Sequence, residues 1–144
     1  MEKTREFRIF FVDDDMFNLT LMSNYLNHLG YTSVTTIQNG TECLNRLTEK
    51  PEVIFLDHNM EGISGFEVLK KIKRFDPNIH VVMVSGQDSM KMAVDSLKYG
   101  AFDYIIKNND ALQHVTDVMM RITAAQEMVD KVNAPMWKKL LSRI

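Results

Sequence analysis

The stretch Val53-Ile54-Phe55-Leu56-Asp57 decides the fold of this 144-residue chain, because four apolar residues end abruptly on an acid. A short apolar run without polar alternation is typical of a parallel strand that is buried on both faces. Three other runs have the same form: Phe7–Val12 before Asp13, Val81–Val84 before Ser85, and Tyr104–Ile106 before Lys107. In a parallel sheet the carboxyl ends of such strands share one edge, which is where α/β sheets place their ligands.

Helical patterns separate these strands. After the first strand, Leu19, Met22 and Leu26 recur at helical spacing, and Gly30 is placed to end that helix. The β-branched segment 31–37 adds a further strand before the next helix. Strict alternation of five strands and five helices predicts an α/β fold, a doubly wound, flavodoxin-like five-stranded parallel sheet with helices on both faces.

Composition limits the classes of protein to which the chain can belong. A hydrophobic content of 45% over 144 residues suffices for one buried core, and the net charge of −2 indicates no broad basic surface. No segment has the form of a secretory signal or a membrane-spanning helix. The single cysteine, Cys43, excludes an internal disulfide and is expected to be an inert buried thiol. We therefore expect a cytoplasmic protein with no direct nucleic-acid binding and no membrane contact.

The residues at the strand ends suit phosphoryl chemistry. Packed carboxylates repel one another unless a cation lies between them, and Asp13, Asp14 and Asp57 offer the hard oxygen ligands that Mg²⁺ prefers. An ionised carboxylate needs no base to attack phosphorus, and the ammonium of Lys107 and the hydroxyl of Ser85 can stabilise the transferred charge. Each residue alone could be a cap or turn former. Their joint placement favours one magnesium-dependent phosphoryl site.

These stretches resemble the response-regulator receiver family of two-component signalling. The resemblance runs from Phe7 to about Met128. Its marks are Phe10-Phe11-Val12-Asp13-Asp14, the segment Pro51–Gly62 around Asp57, Val84-Ser85-Gly86, and Gly100–Lys107. It implies a receiver domain at residues 1–128, followed by a C-terminal helical extension or linker at residues 129–144.

The resemblance also implies a role for each site residue. Asp57 would be the phosphoacceptor, and Ser85 and Lys107 would contact the phosphoryl group. Mg²⁺ would be held by Asp13, Asp14, Asp57 and the backbone carbonyl of Asn59. In this family the hydroxyl after strand four moves toward the phosphoryl group while an aromatic of strand five turns inward. Here that switch would couple Ser85 to Tyr104 and repack the surface of strand four, helix four, strand five and helix five.

Partners follow from the same resemblance. The phosphoryl donor would be a sensor histidine kinase or a histidine phosphotransfer protein, docked near Met16, Phe17 and the loop after Lys107. Output would occur by protein contact, including a possible homodimer. The chain would catalyse only its own phosphorylation and dephosphorylation. Asn59 and Gln87 resemble variable positions that tune the lifetime of the acyl phosphate.

Two features depart from the family pattern, and one further residue has no assigned role. Asn108 follows Lys107 where the family usually has proline, so the loop after strand five is expected to differ in shape. Glu61 replaces a common proline four residues after Asp57, which adds negative charge and backbone freedom. Asp15 is an additional acid whose role is open.

Other functions fit the sequence less well. A haloacid-dehalogenase-type phosphohydrolase would use Asp13 as nucleophile in the pattern Asp13-x-Asp15, but it would leave Asp57 without a purpose. A non-phosphorylated interaction module of the same fold would not need the complete acidic pocket. A flavin phosphate would be repelled by the acids after strand one. The apolar residues of the tail, Met136, Trp137 and Leu140, could fold back on the domain, pair with a second copy or begin a linker.

Overall fold

The computed structural model describes residues 5–141 and contains the predicted parallel sheet. Its strands lie in the order β2-β1-β3-β4-β5, and every neighbouring pair is parallel. The strands are β1 (Ile9–Val12), β2 (Val34–Ile37), β3 (Val53–Asp57), β4 (His80–Ser85) and β5 (Asp103–Ile106). The doubly wound α/β prediction is confirmed.

Helices connect the strands and extend beyond the last of them. They are α1 (Met16–His28), α2 (Gly40–Asn45), α3 (Gly65–Phe75), α4 (Met90–Lys98), α5 (Ala111–Asn133) and α6 (Met136–Leu141). The second helix has only six residues and is followed by a 3₁₀ turn at Leu47–Glu49. The sixth is a short helix in the tail, beyond the five that alternation predicts.

Each face of the sheet carries its own apolar cluster, which explains the uninterrupted apolar runs. Alternate residues of β1 point to opposite faces: Phe11 joins a cluster with α1 and α5, and Phe10 joins a cluster with α2 and α3. All five residues of β3 are buried. Cys43 lies in the second cluster, where burial raises the pKa of its thiol to about 12, as expected for an inert residue.

Local signals set the helix ends. Gly30 and Gly100 follow α1 and α4 with φ values of 105° and 100°, a left-handed conformation that glycine adopts without strain. Ser64 Oγ accepts a hydrogen bond from the backbone N–H of Glu67 at 3.3 Å and so caps the start of α3. Asp110 occupies the cap position of α5 but its side chain makes no cap hydrogen bond there.

The last helix continues past the core. α5 runs unbroken across residue 128, the predicted end of the domain, and stops at Asn133 before Ala134 and Pro135. All four apolar side chains of α6 are exposed, so the structure does not show the tail folded back on the domain. Residues 1–4 and 142–144, the ends of the two predicted segments, lie outside the described residues. None of the described helices is long and apolar enough to cross a membrane.

His80 is expected to make stability depend on pH. Burial lowers its pKa below the usual value, although a hydrogen bond to Gln126 opposes this shift. As pH falls below about 6.5, the unfolded chain therefore binds a proton that the folded protein resists, and stability is lost. His80→Gln should reduce the loss of unfolding free energy between neutral and mildly acidic pH, as measured by urea denaturation. The other three histidines are unchanged in this variant. If the free energy of unfolding falls equally steeply with pH in both proteins, His80 is not the cause of the pH dependence.

Candidate functional site

The carboxyl edge of the sheet collects the predicted side chains. Asp13 directly follows β1, while Asp57 and Ser85 end β3 and β4, and Lys107 directly follows β5. These four strands are consecutive neighbours in the sheet. The chain also reverses its winding direction here, because β2 lies on one side of β1 and β3 on the other. The strand order thus brings the predicted site together at a topological switch point.

Three carboxylates form the acidic part of the site. Asp13, Asp14 and Asp57 each present a carboxylate oxygen within 4.8 Å of the other two. Asp13 is fully buried and Asp57 is 4% exposed, whereas Asp14 is exposed. Burial, together with the negative charge of Asp13, raises the pKa of Asp57 to about 6. The pocket therefore holds more negative charge than its surroundings can stabilise without a cation.

Lys107 supplies one cation to this pocket. Its Nζ lies 3.0 Å from Asp13 Oδ2 and 3.1 Å from Asp57 Oδ1, so one ammonium pairs with both buried acids. Burial disfavours the charged ammonium, but its hydrogen bonds and ion pairs with Asp13 and Asp57 outweigh that effect and raise the pKa of Lys107. Lys107 is charged at neutral pH, and its ammonium lies beside the carboxylate of Asp57.

Asn18 is a site residue that the sequence reasoning missed. Its Nδ2 donates to Asp13 Oδ2 at 2.6 Å, while the backbone N–H of Asp15 donates to Asp13 Oδ1 at 2.9 Å. Both oxygens of Asp13 are therefore held in place. The sequence could have pointed to Asn18, because it is an amide side chain in the first turn of α1, a few residues after the acids.

Asp15 has a structural role. It is the N-cap of α1, and its Oδ1 accepts a hydrogen bond from the backbone N–H of Phe17 at 3.0 Å. The cluster of carboxylate oxygens does not include it. This arrangement answers the question that the sequence left open for the third aspartate.

Substitution of Asp15 should affect the stability of the protein and not its phosphorylation, because Asp15 caps α1 and lies outside the carboxylate cluster. Asp15→Ala should reduce the free energy of unfolding by about 1 kcal/mol, and Asp15→Ser should restore most of it, because serine also caps helices. Neither variant should change the rate at which the protein is phosphorylated. Urea denaturation and the gain of mass with a phosphoryl donor test both statements. A phosphorylation defect in Asp15→Ser would show that the acid acts in the site.

The donor set fits a magnesium ion. Mg²⁺ prefers a few carboxylate oxygens, with water completing its coordination, and Asp13, Asp14 and Asp57 offer such oxygens. Asn59 and Asp14 line the same open depression of about 350 Å³ beside the site. The backbone N–H of Glu61 lies 3.4 Å from Asp14 Oδ2. Proline, common in the family at this position, has no N–H to place there.

Ser85 and Tyr104 are connected through the backbone of Gln87. The Oγ of Ser85, which is fully buried, accepts a hydrogen bond from Gln87 N at 3.1 Å. Tyr104 is 7% exposed, and its hydroxyl donates to Gln87 O at 3.0 Å. Both predicted switch residues therefore form hydrogen bonds with the backbone of Gln87, which lies in the segment that joins β4 to α4.

The loop after β5 is shaped without the family's proline. The described residues contain no cis peptide bond, so the link from Lys107 to Asn108 is trans. Asn108 Oδ1 accepts a hydrogen bond from the backbone N–H of Asp110 at 2.9 Å, which closes a turn before α5. The backbone N–H of Lys107 donates to Ser85 O at 2.7 Å and fixes the start of this loop.

Comparison with known proteins identifies the family. Residues 9–119 match the response regulator receiver domain. The chain belongs to this family. As a receiver domain it is 35% identical over 101 residues to chemotaxis protein CheY of Listeria monocytogenes, covering 69% of this chain and 85% of CheY. It is 38% identical over 103 residues to the transcriptional regulatory protein ZraR of Klebsiella oxytoca, covering 71% of this chain but only 23% of ZraR.

Solved structures support the same assignment. A CheY-like response regulator receiver domain protein of Methanospirillum hungatei superposes with a TM-score of 0.77 at 25% identity, over 86% of this chain and 99% of that one. CheY of Borrelia burgdorferi, solved in a complex with CheX, BeF₃ and Mg²⁺, superposes with a TM-score of 0.76 at 25% identity. The match covers 81% of this chain and 89% of that one. Membership in the receiver family disfavours the phosphohydrolase and flavin-binding alternatives.

Proposed function

We propose that this receiver domain accepts a phosphoryl group on Asp57 in a magnesium-dependent reaction. The observation that carries the proposal is the placement of one slightly exposed carboxylate, Asp57, beside buried Asp13 and the ammonium of Lys107, which pairs with both acids. Asp13 is less suited to be the acceptor, because it is fully buried and hydrogen bonds hold both of its oxygens.

The proposed donor is a phosphohistidine on a sensor histidine kinase or a histidine phosphotransfer protein. A carboxylate oxygen of Asp57 forms a bond to phosphorus as the phosphorus–nitrogen bond breaks, and the histidine leaves with the electron pair and takes up a proton. Asp13, Asp14, Asp57 and the carbonyl of Asn59 would hold Mg²⁺, whose charge would stabilise the phosphoryl oxygens. Lys107 stabilises those oxygens from its position beside Asp57.

A docking surface for the donor lies next to the site. Met16 and Phe17, in the first turn of α1, are 56% and 75% exposed although both are large and apolar. Exposed apolar side chains beside a reactive group are typical of protein contact surfaces. They support the proposal that the donor docks over α1 and the loop after Lys107. We also propose that the chain catalyses only its own phosphorylation and dephosphorylation, so it should not turn over a general phosphatase substrate.

The proposed output is a change of the surface formed by β4, α4, β5 and α5. A phosphoryl group on Asp57 would accept a hydrogen bond from the Ser85 O–H, whose oxygen accepts from the Gln87 N–H, and Tyr104 contacts the same peptide segment. New charge at one end of a two-state segment can shift its population. On α4, Met90, Val94 and Leu97 are exposed and could carry protein contact or homodimerisation. Light scattering with and without beryllofluoride tests dimerisation, and an unchanged monomer would contradict it.

Intact mass measurement tests the central proposal. The wild-type protein, incubated with Mg²⁺ and a small phosphoryl donor, should gain the mass of one phosphoryl group. Asp57→Asn should gain none, and neither should the wild type in excess chelator. A gain of mass by Asp57→Asn equal to that of the wild type would contradict the proposal.

A further inference from the structure

The tail helix, α6 (Met136–Leu141), presents an apolar face to solvent. Its four large apolar side chains are between 57% and 71% exposed: Met136, Trp137, Leu140 and Leu141. Their spacing places all four on one side of the helix, and Lys138 and Lys139 lie on the other side. Val132, at the end of α5, is 72% exposed and lies next to this helix in the chain.

The charge of this segment is opposite to that of the rest of the chain. Residues 131–144 hold four basic and no acidic side chains, a net charge of +4, while residues 1–130 hold 13 basic and 19 acidic side chains, a net charge of −6. Lys138 lies with its ammonium 5.5 Å from the centre of the Trp137 ring. Lys139 reaches back to donate to Val132 O at 2.8 Å. The positive charges therefore border the apolar face directly.

We propose that the tail helix binds the surface of an anionic lipid membrane. A helix with Trp and Leu on one face and lysines on the other lies in the plane of the interface, with its apolar face among the upper acyl chains and its lysines among the headgroups. Anionic headgroups attract each nearby lysine or arginine, which adds to the apolar contribution. The tail rests on the membrane and does not cross it.

Charge favours a lipid surface over the pairing of two tails. Pairing two tails would bring two segments of +4 together, and residues 131–144 offer no acid to neutralise them. The proposal differs from the composition-based expectation of no membrane contact, because the opposite charges of the domain and the tail nearly cancel in the total charge.

The position of the tail leaves the phosphoryl site open. α5 begins just after Lys107 at the carboxyl edge of the sheet, and its Gln126 contacts His80, the first residue of β4, at the opposite edge. The tail follows beyond that opposite edge. Membrane binding and phosphorylation therefore use different ends of the molecule, and this inference does not depend on the proposed function.

Trp137 provides the test, because it is the only tryptophan in the chain. Its fluorescence emission should shift to shorter wavelength when the 144-residue chain is mixed with vesicles of equal parts phosphatidylcholine and phosphatidylglycerol. The shift should weaken in high salt, and vesicles of phosphatidylcholine alone should bind much more weakly. The double variant Lys138→Gln, Lys139→Gln should bind roughly 25-fold more weakly, from about 5-fold per charge. The matched control is Lys70→Gln, Lys71→Gln on α3, which should bind like the wild type.

Three results would overturn the proposal. The first is an unchanged emission with anionic vesicles, and the second is equal binding by the tail double variant and the wild type. The third is a shift that grows with protein concentration without vesicles and accompanies a doubled mass in light scattering, which would assign the face to a second copy. Leu140→Glu should also abolish the shift, and its urea denaturation should match that of the wild type, which would show that the domain is folded.

Discussion

Lys107→Ala should slow phosphorylation of Asp57 by about 100-fold at saturating Mg²⁺, because one preorganised group that stabilises developing charge contributes roughly that factor. Lys107 is the ammonium that pairs with both Asp13 and Asp57, at 3.0 and 3.1 Å. The rate of mass gain with a small phosphoryl donor measures this effect. Lys98→Ala, which removes an exposed ammonium at the end of α4, is the matched control and should react at the wild-type rate.

The same substitution should also reduce stability in the absence of metal. Removing the ammonium leaves two buried carboxylates close together without their cation, which should cost about 2 kcal/mol, less than for a fully buried pair because Lys107 is partly exposed. Adding Mg²⁺ should recover part of this loss, since the metal supplies positive charge to the same acids. If Lys107→Ala is phosphorylated at the wild-type rate and is as stable as the wild type, the ion pairs of Lys107 contribute neither to the reaction nor to stability.

Gly65→Ala should reduce the free energy of unfolding by about 3 kcal/mol, near the upper end for an overpacked core. A Cβ at Gly65 would lie 2.1 Å from the carbonyl oxygen of Asp57 and 2.8 Å from the Cα of His58. Neither backbone group can rotate away as a flexible side chain could. The first turn of α3 must therefore move away from β3, and the end of β3 with Asp57 and the following loop with Asn59 would shift.

In Gly65→Ala the free energy of unfolding, measured by urea denaturation, should decrease, and the rate of phosphorylation should change as well. Gly86→Ala is the control, because it makes the same substitution next to Ser85 where a Cβ would meet no atom within 4 Å. Its stability should stay within about 0.5 kcal/mol of the wild type, as is usual for surface positions. A Gly65→Ala protein as stable as the control would mean that α3 does not approach the site as closely as described.

The sequence predicted the sheet and the convergence of the site because both depend on strand ends. Apolar runs that end on Asp13, Asp57, Ser85 and Lys107 must meet once the strands are parallel neighbours. Asp15 could not be assigned in the same way. A cap and a metal ligand use the same residue types after a strand, and only the hydrogen bond to Phe17 distinguishes them.

Other features depend on contacts between distant segments. Ser64 and Glu67 indicate the start of a helix, but nothing in the sequence shows that Gly65 packs against the backbone of Asp57. The connection of Ser85 to Tyr104 through Gln87 depends on side-chain rotamers, which spacing does not define. The exposure of the tail could not be read from composition either, because an apolar face looks the same whether or not the domain covers it.

Locating the phosphoryl group in the chain tests the central claim most directly. The protein would be labelled with a small phosphoryl donor and Mg²⁺, trapped chemically at the acyl phosphate, digested, and sequenced by tandem mass spectrometry. We expect the modification on Asp57, with none on Asp13, Asp14 or Asp15. Modification of Asp13, or labelling spread over several acids, would contradict the assignment of Asp57 as the single acceptor.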